Sequence, residues 1–218
     1  MTPCNKPTLG MQEQAAAMRV LNSVWVAQGA KVEAFESELC RFFGVPEGYS
    51  LAVSSRPTAL SNAVRLVGGK EINLDCAEGN SSANIVRGDV PAIDVLIAPS
   101  IFGIPVVLPA KCDYKVIEGI AQAVRTESDG ERVGLRSALG ICSFYARKLI
   151  TIGRQGGTVI SRNKVLIDKR TDCREFYSRG DKKIRSNFLM ADVLAAIGRS
   201  PLDCLLEFIQ CRAQLFVI

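Results

Sequence analysis

The chain has 218 residues, 48% of them hydrophobic and 22% charged, with a formal net charge of +5. That is ample for one packed core, and so small a basic excess with so few aromatics does not make a nucleic-acid surface. Histidine is absent, which excludes Ser-His-Asp and Cys-His catalysis and any zinc site built on imidazole.

Lysine, carboxylate, thiol and hydroxyl groups remain as possible chemistry. The eight cysteines form no C-x-x-C pair, and most lie among apolar residues, where they read as small buried hydrophobes. The N-terminus lacks a basic start followed by an apolar core. No uninterrupted apolar span is long enough for a membrane helix. A soluble protein of a reducing, cytoplasmic compartment is expected, with no membrane and no nucleic-acid partner.

In chain order, residues 1–20 read as an N-terminal arm that passes into a helix, and Met11–Val26, helical in its first part, carries Trp25 near its end. An amphipathic helix follows, with Val32, Phe35, Leu39 and Phe43 on one face and Gly44 ending it. Leu51–Ser55 reads as a strand ending in hydroxyls and Thr58–Val67 as a helix. A strand running into a helix N-terminus makes a phosphate cup, because free N–H groups and the helix dipole favour an anion. Here the turn is Ser55-Arg56-Pro57. Pro57 removes one N–H donor, while the Arg56 guanidinium can itself bind phosphate.

Ile72–Asn84 reads as a further strand and loop, and Asp94–Pro99 as a buried parallel-type strand. Only Val106–Asp113 separates that strand from the next, too little for a comfortable crossover helix. The connection is therefore extended, or the sheet is rearranged locally. Tyr114–Glu118 is the next strand, followed by Gly119 and Gln122.

Two β-prone runs, Ala138–Cys142 and Thr158–Ile160, enclose Ser143-Phe144-Tyr145-Ala146-Arg147-Lys148-Leu149-Ile150-Thr151 and its trailing glycines. This pattern holds a lysine on a loop beside a sheet, with a hydroxyl and backbone N–H groups able to receive an anion. Lys164–Tyr177 reads as a helix and Ser178–Ser186 as a basic loop. Asn187 then leads to an Ala-Ala helix and to a last helix with Leu202, Leu205, Leu206 and Ile209 on one face. No G-x-G-x-x-G or G-x-x-x-x-G-K-[ST] motif occurs.

The Ser143-to-Thr151 segment resembles the cofactor-lysine segment of the DegT/DnrJ/EryC1/StrS aminotransferases, pyridoxal-phosphate (PLP) enzymes that act mostly on nucleotide-linked keto-sugars. Trp25, Gly29, Phe35-Glu36 and Phe43-Gly44, then Val116-Ile-Glu118-Gly119-Ile-Ala-Gln122-Ala and Asn187-x-x-Met190, extend the resemblance from about Trp25 to Arg212. It implies an α/β three-layer sandwich with a mostly parallel sheet, like the large domain of fold type I PLP enzymes. Residues 1–218 would form that single domain. The family's smaller C-terminal domain is expected to be absent, and so is one internal α/β unit with its ring-stacking aromatic.

The resemblance also implies site roles. Lys148 would form the Schiff base with PLP. Ser143, Ser55 and Arg56 would bind its phosphate, with Asn187 of a neighbouring subunit, and Gln122 would pack near the ring. No metal is implied. A homodimer is, together with an amino donor or nucleotide-sugar as small-molecule partner. Several positions depart from the family: Arg56-Pro57 interrupt its Ser-Gly-Thr turn, Pro201 stands where a glutamine is usual, and where an aspartate pairs with the pyridinium nitrogen this chain has Gly119. Glu118 does not replace it, because adjacent strand residues point to opposite faces. Two functions therefore stay open: a PLP-dependent aminotransferase-like protein, or a catalytically degenerate homologue with a binding, regulatory or assembly role.

Overall fold

The structure, a computed structural model, describes residues 7, 9–67, 94–109, 111–175, 180–181, 183 and 185–215. Two helices open it, α1 (Met11–Asn22) and α2 (Ala30–Phe43). The apolar period of α2 buries Val32, Phe35, Leu39 and Phe43 on one face, and the helix ends at Gly44 in the left-handed conformation, as expected. Strand β1 (Ser50–Val53) then runs into α3 (Arg56–Val67). Beyond it come β2 (Val95–Pro99), β3 (Lys115–Gly119), β4 (Glu127–Ser128), β5 (Glu131–Arg132), β6 (Leu139–Ser143) and β7 (Gly157–Ile160). The chain closes with α4 (Lys164–Arg174), α5 (Asp192–Asp203) and α6 (Leu205–Leu215). The segment Ile72–Asn84, expected as strand and loop, lies outside the described residues.

The main sheet has the order β1-β7-β6-β3-β2. Strands β2, β3 and β6 pair in parallel, while β7 is antiparallel to both its neighbours. Four of the five strands thus run the same way, and β7 is the return stroke of the lysine loop. The sheet is mixed but mostly parallel, in agreement with the expected sandwich.

Alternation along the strands sorts the core into two faces. Leu51, Val53, Ile117, Leu139, Ile141 and Val159 pack against Ala59 and Ala63 of α3 and Ile167 of α4. Ala52, Cys142 and Ile160 turn the other way, onto Phe35, Leu39 and Phe43 of α2. There Phe144 meets Phe35 edge to face, with ring centroids 5.3 Å apart. Asp192 ties α5 to this layer: its carboxylate accepts from the backbone N–H groups of Gly29 (2.8 Å), Lys31 (3.1 Å) and Val32 (3.0 Å), so it caps α2 from another helix.

The link from β2 to β3 carries no helix among its described residues. Val106, Leu108 and Tyr114 are laid along Leu96, Ala98 and Val116, and the parallel register is kept. Of the two alternatives for this short link, the extended one holds. Several boundaries move. β1 stops at Val53, because Ser55 is needed to cap α3, and α4 ends at Arg174. The last apolar stretch divides at Cys204, so that Leu202 belongs to α5, which contains Pro201, and Leu205, Leu206 and Ile209 to α6. The β4–β5 hairpin turns through Asp129-Gly130, both with positive φ. That Asp-Gly pair is a sequence signal for such a turn.

Candidate functional site

Strands β1, β6 and β3 share a direction, so their carboxyl ends lie at one edge of the sheet. Ser55 follows β1, Ser143 ends β6 and Gly119 ends β3. Loops at this edge are where a parallel sheet receives ligands.

Lys148 is held there by its own loop. Phe144, fully buried, donates its N–H to Gly156 O (2.9 Å) and accepts from Ile152 N (3.3 Å), which pins both ends of the loop to the core. Tyr145 N–H donates to Ser143 Oγ (3.3 Å), and Lys148 N–H to Tyr145 O (2.8 Å), which closes a tight turn. Lys148 is half-buried, and its ammonium has no protein partner among the described residues.

Ser55, Arg56, Ser143, Tyr145, Lys148 and Gly156 line one cavity of ≈260 Å³. Arg56 enters it from the first turn of α3. That turn fits closely against β7: a Cβ on Gly157 would stand 3.0 Å from Arg56 N, so no larger residue is admitted. The Arg56 guanidinium extends to β3, where its Nη2 lies 3.1 Å from the position a Cβ would take on Gly119. Its Nε is buried and makes no hydrogen bond. Arg56 and Lys148 therefore bring two cations into one small cavity, and neither has a carboxylate partner among the described residues. Both charges reach Cys142, yet burial outweighs them and pushes its thiol up to about 12.

The helix end itself offers less than expected. Ser55 Oγ accepts from Thr58 N (3.2 Å), Ser55 O accepts from Ala59 N (3.1 Å), and Pro57 has no N–H. Ser55 lines the cavity, but its hydroxyl also caps α3 by bonding Thr58 Oγ1 (3.2 Å). An anion here meets the Arg56 side chain more than the helix amides.

A second cavity, ≈930 Å³, shares Lys148. Gln122, Leu149 and Ile209 line it with the cations Arg125, Arg147 and Arg212. Gln122 is exposed, and its Oε1 accepts from Phe102 N (3.2 Å). Phe102 has a φ of 54° and stands 77% exposed on this cavity. A cavity of ≈490 Å³ between α1 and α5 holds no Lys148 and no serine of the site.

Of the residues singled out from sequence, Ser55, Arg56, Ser143 and Lys148 meet in one cavity, and Gln122 joins them across Lys148 in the other. Asn187 lines neither. It is exposed on a segment fixed beside β1 by the bond from Ser54 N to Phe188 O (3.0 Å). Glu118 lies on the opposite face from Gly119, as strand alternation required, and is fully consumed by Arg136. Tyr145 and Phe102 were not selected from sequence. Tyr145 belongs to the lysine motif itself, and Phe102 stands before Gly103, a turn signal. Among the described residues no cluster suits a metal ion, and no helix is long and apolar enough to cross a membrane.

The chain matches the DegT/DnrJ/EryC1/StrS aminotransferase family over residues 7–73 and 107–218. The residues between 73 and 107 fall outside that match. Among solved structures, the chain is similar to an aminotransferase, TlmJ, from Streptoalloteichus hindustanus, with a TM-score of 0.86 and 21% identity over 95% of this chain and 67% of that one. It is also similar to Helicobacter pylori PseC, an aminotransferase involved in the biosynthesis of pseudoaminic acid. That TM-score is 0.77, at 19% identity over 93% and 65% of the two chains. A third likeness is to 3-amino-5-hydroxybenzoic acid synthase, with a TM-score of 0.79 and 20% identity over 98% and 66%. The chain spans about two thirds of the length of each, and the likeness is one of fold.

Proposed function

The chain belongs to the DegT/DnrJ/EryC1/StrS aminotransferase family, and from that premise we propose that it is a PLP-binding, sugar-aminotransferase-like protein with Lys148 as the residue that carries the cofactor. One observation supports this reading above the others. Arg56 and Lys148, unpaired with any carboxylate among the described residues, share a cavity with Ser143 and Ser55. That donor set suits a ligand with a phosphate and a carbonyl carbon.

When bound, PLP supplies an electrophilic carbon and an electron-withdrawing ring. Lys148 Nζ would hold that carbon and, once displaced by an incoming amine, would carry a proton. Ser143 Oγ would hold the phosphate, with Ser55 as a further hydroxyl, and the Arg56 guanidinium would bind the cofactor from the first turn of α3. Gln122 would stand beside the ring, and Asn187 would serve a second copy's site. The larger cavity would receive an amino donor or nucleotide-sugar, with Arg125 and Arg212 opposite its negative charge. The same reading makes the protein a cytoplasmic homodimer.

A second reading is a binding, regulatory or assembly role without amino transfer. The observation that favours it is Gly119, which brings no acid to the site and leaves its space to Arg56.

An absorbance titration of the purified protein with PLP tests the first reading, repeated on Lys148→Ala. A visible band that survives dialysis, is fixed by borohydride and vanishes in the variant supports it. No band, or an unchanged band in Lys148→Ala, sinks it.

A further inference from the structure

The positions of Arg56 and Gly119 carry a consequence for the bound cofactor, which rests on the reading of this cavity as a PLP site. A guanidinium offers N–H donors and no acceptor. Arg56 Nη2 fills the space beside Gly119, and its buried Nε has no partner. The nearest strand acid, Glu118, faces the other way. It is held by Arg136 through Nη2 (2.6 Å), Nε (3.0 Å) and the backbone N–H (3.1 Å). No carboxylate among the described residues is left to face the cavity beside Arg56.

With the aldehyde carbon on Lys148 and the phosphate at Ser143, the ring nitrogen of a bound PLP would lie on the side away from the lysine. That would turn it toward the strand end where Arg56 Nη2 stands beside Gly119, the position at which the resemblance puts an acid. We infer that Arg56 donates a hydrogen bond to the ring nitrogen of bound PLP and so keeps that nitrogen unprotonated. A protonated nitrogen would set its N–H against other N–H donors. Gly119 is part of the same device, because a Cβ there would stand 3.1 Å from Arg56 Nη2 and crowd the guanidinium. A ring held in this state withdraws electrons weakly. The protein would then bind amines on its cofactor but transfer amino groups slowly.

The test uses the full chain loaded with PLP whose ring nitrogen is isotope-labelled. Nuclear magnetic resonance reads the protonation of that nitrogen, and mass spectrometry after borohydride reads attachment to Lys148. The unprotonated signal is expected in the wild type at neutral pH, with a shift toward the protonated signal in Arg56→Met. In parallel, PLP is compared with its deaza analogue, in which carbon replaces the ring nitrogen. The wild type is expected to prefer PLP by about tenfold, the worth of one charge-assisted hydrogen bond, and Arg56→Met to show little preference. Should Arg56→Met fail to fold, Arg56→Gln is read in the same two ways, since it removes the charge of the donor.

Attachment to Lys148 with a protonated nitrogen in the wild type overturns this inference and leaves the proposed function standing. An equal preference in wild type and variant does the same. No attachment to Lys148 overturns both.

Discussion

Glu118 and Arg136 form a closed ion pair under the sheet edge, with Arg136 Nη2 2.6 Å from Glu118 Oε2, Nε at 3.0 Å and the Glu118 side chain fully buried. The arginine also donates to Val106 O (3.1 Å), so the pair fastens the extended β2–β3 link as well. Breaking one side strands a buried charge. Arg136→Met is expected to cost about 3–5 kcal/mol. The double change Glu118→Leu with Arg136→Met is expected to recover most of that loss. Urea unfolding of the two variants measures it, and a double variant no better than the single one would refute the account.

Arg170 makes the opposite case. It is completely buried in α4, its Nη2 reaches Ala59 O at 3.3 Å, and its Nε and Nη1 have no partner. Burial pulls its guanidinium down to about 10. A lowered folded value means that the charged form is penalised at every pH below it, and relief comes only in strong alkali. Replacement by an apolar side chain of similar length removes that penalty. Arg170→Met is expected to stabilise the fold by about 1–3 kcal/mol, seen as a higher thermal midpoint.

Cys142 sets an alkaline limit. Its thiol is pushed up to about 12 by burial, from an ordinary value of 9.0. A raised folded value leaves stability untouched below the unfolded one. Between pH 9 and 12 the unfolded chain can ionise this thiol while the folded chain cannot, so stability falls as pH rises. The slope from this one group is about 1 kcal/mol per pH unit. Denaturant midpoints of wild type and Cys142→Ala across that window test it, and the variant's limb is expected to be the flatter. At neutral pH the exposed Cys112 and Cys211 are expected to react with a thiol reagent long before Cys142.

The proposed homodimer has a surface to test. Val24 and Trp25 are 87% and 62% exposed, and Met18, Leu21 and Val26 continue the apolar stretch from α1. Val24 also has a φ of 63°, a strained conformation for a β-branched residue. Trp25→Asp is expected to weaken self-association by about tenfold or more, as loss of a central aromatic contact does. Light scattering coupled to gel filtration reads it. A wild type that is monomeric at every concentration would end the homodimer proposal.

Much of the fold was legible because burial imposes a period on the sequence. Val32, Phe35, Leu39 and Phe43 repeat at helical spacing, and Val95–Pro99 is continuously apolar, so α2 and β2 follow from one rule each. The lysine loop was legible for a similar reason: glycines after Lys148 announce the return into β7. Boundaries set by single side-chain bonds were not. Ser55 belongs to the α3 cap rather than to β1, and only the bond it receives from Thr58 shows this.

The sequence by itself determined the layered α/β class, the placing of Lys148 on a loop at the sheet edge, and the lack of an acid at position 119. These depend on local spacing and on residue identity. Only the tertiary structure decided what stands in the acid's place. Arg56 and Gly119 are far apart in the chain, and their meeting depends on how α3 leans on β7 at Gly157, a distance that no periodicity encodes.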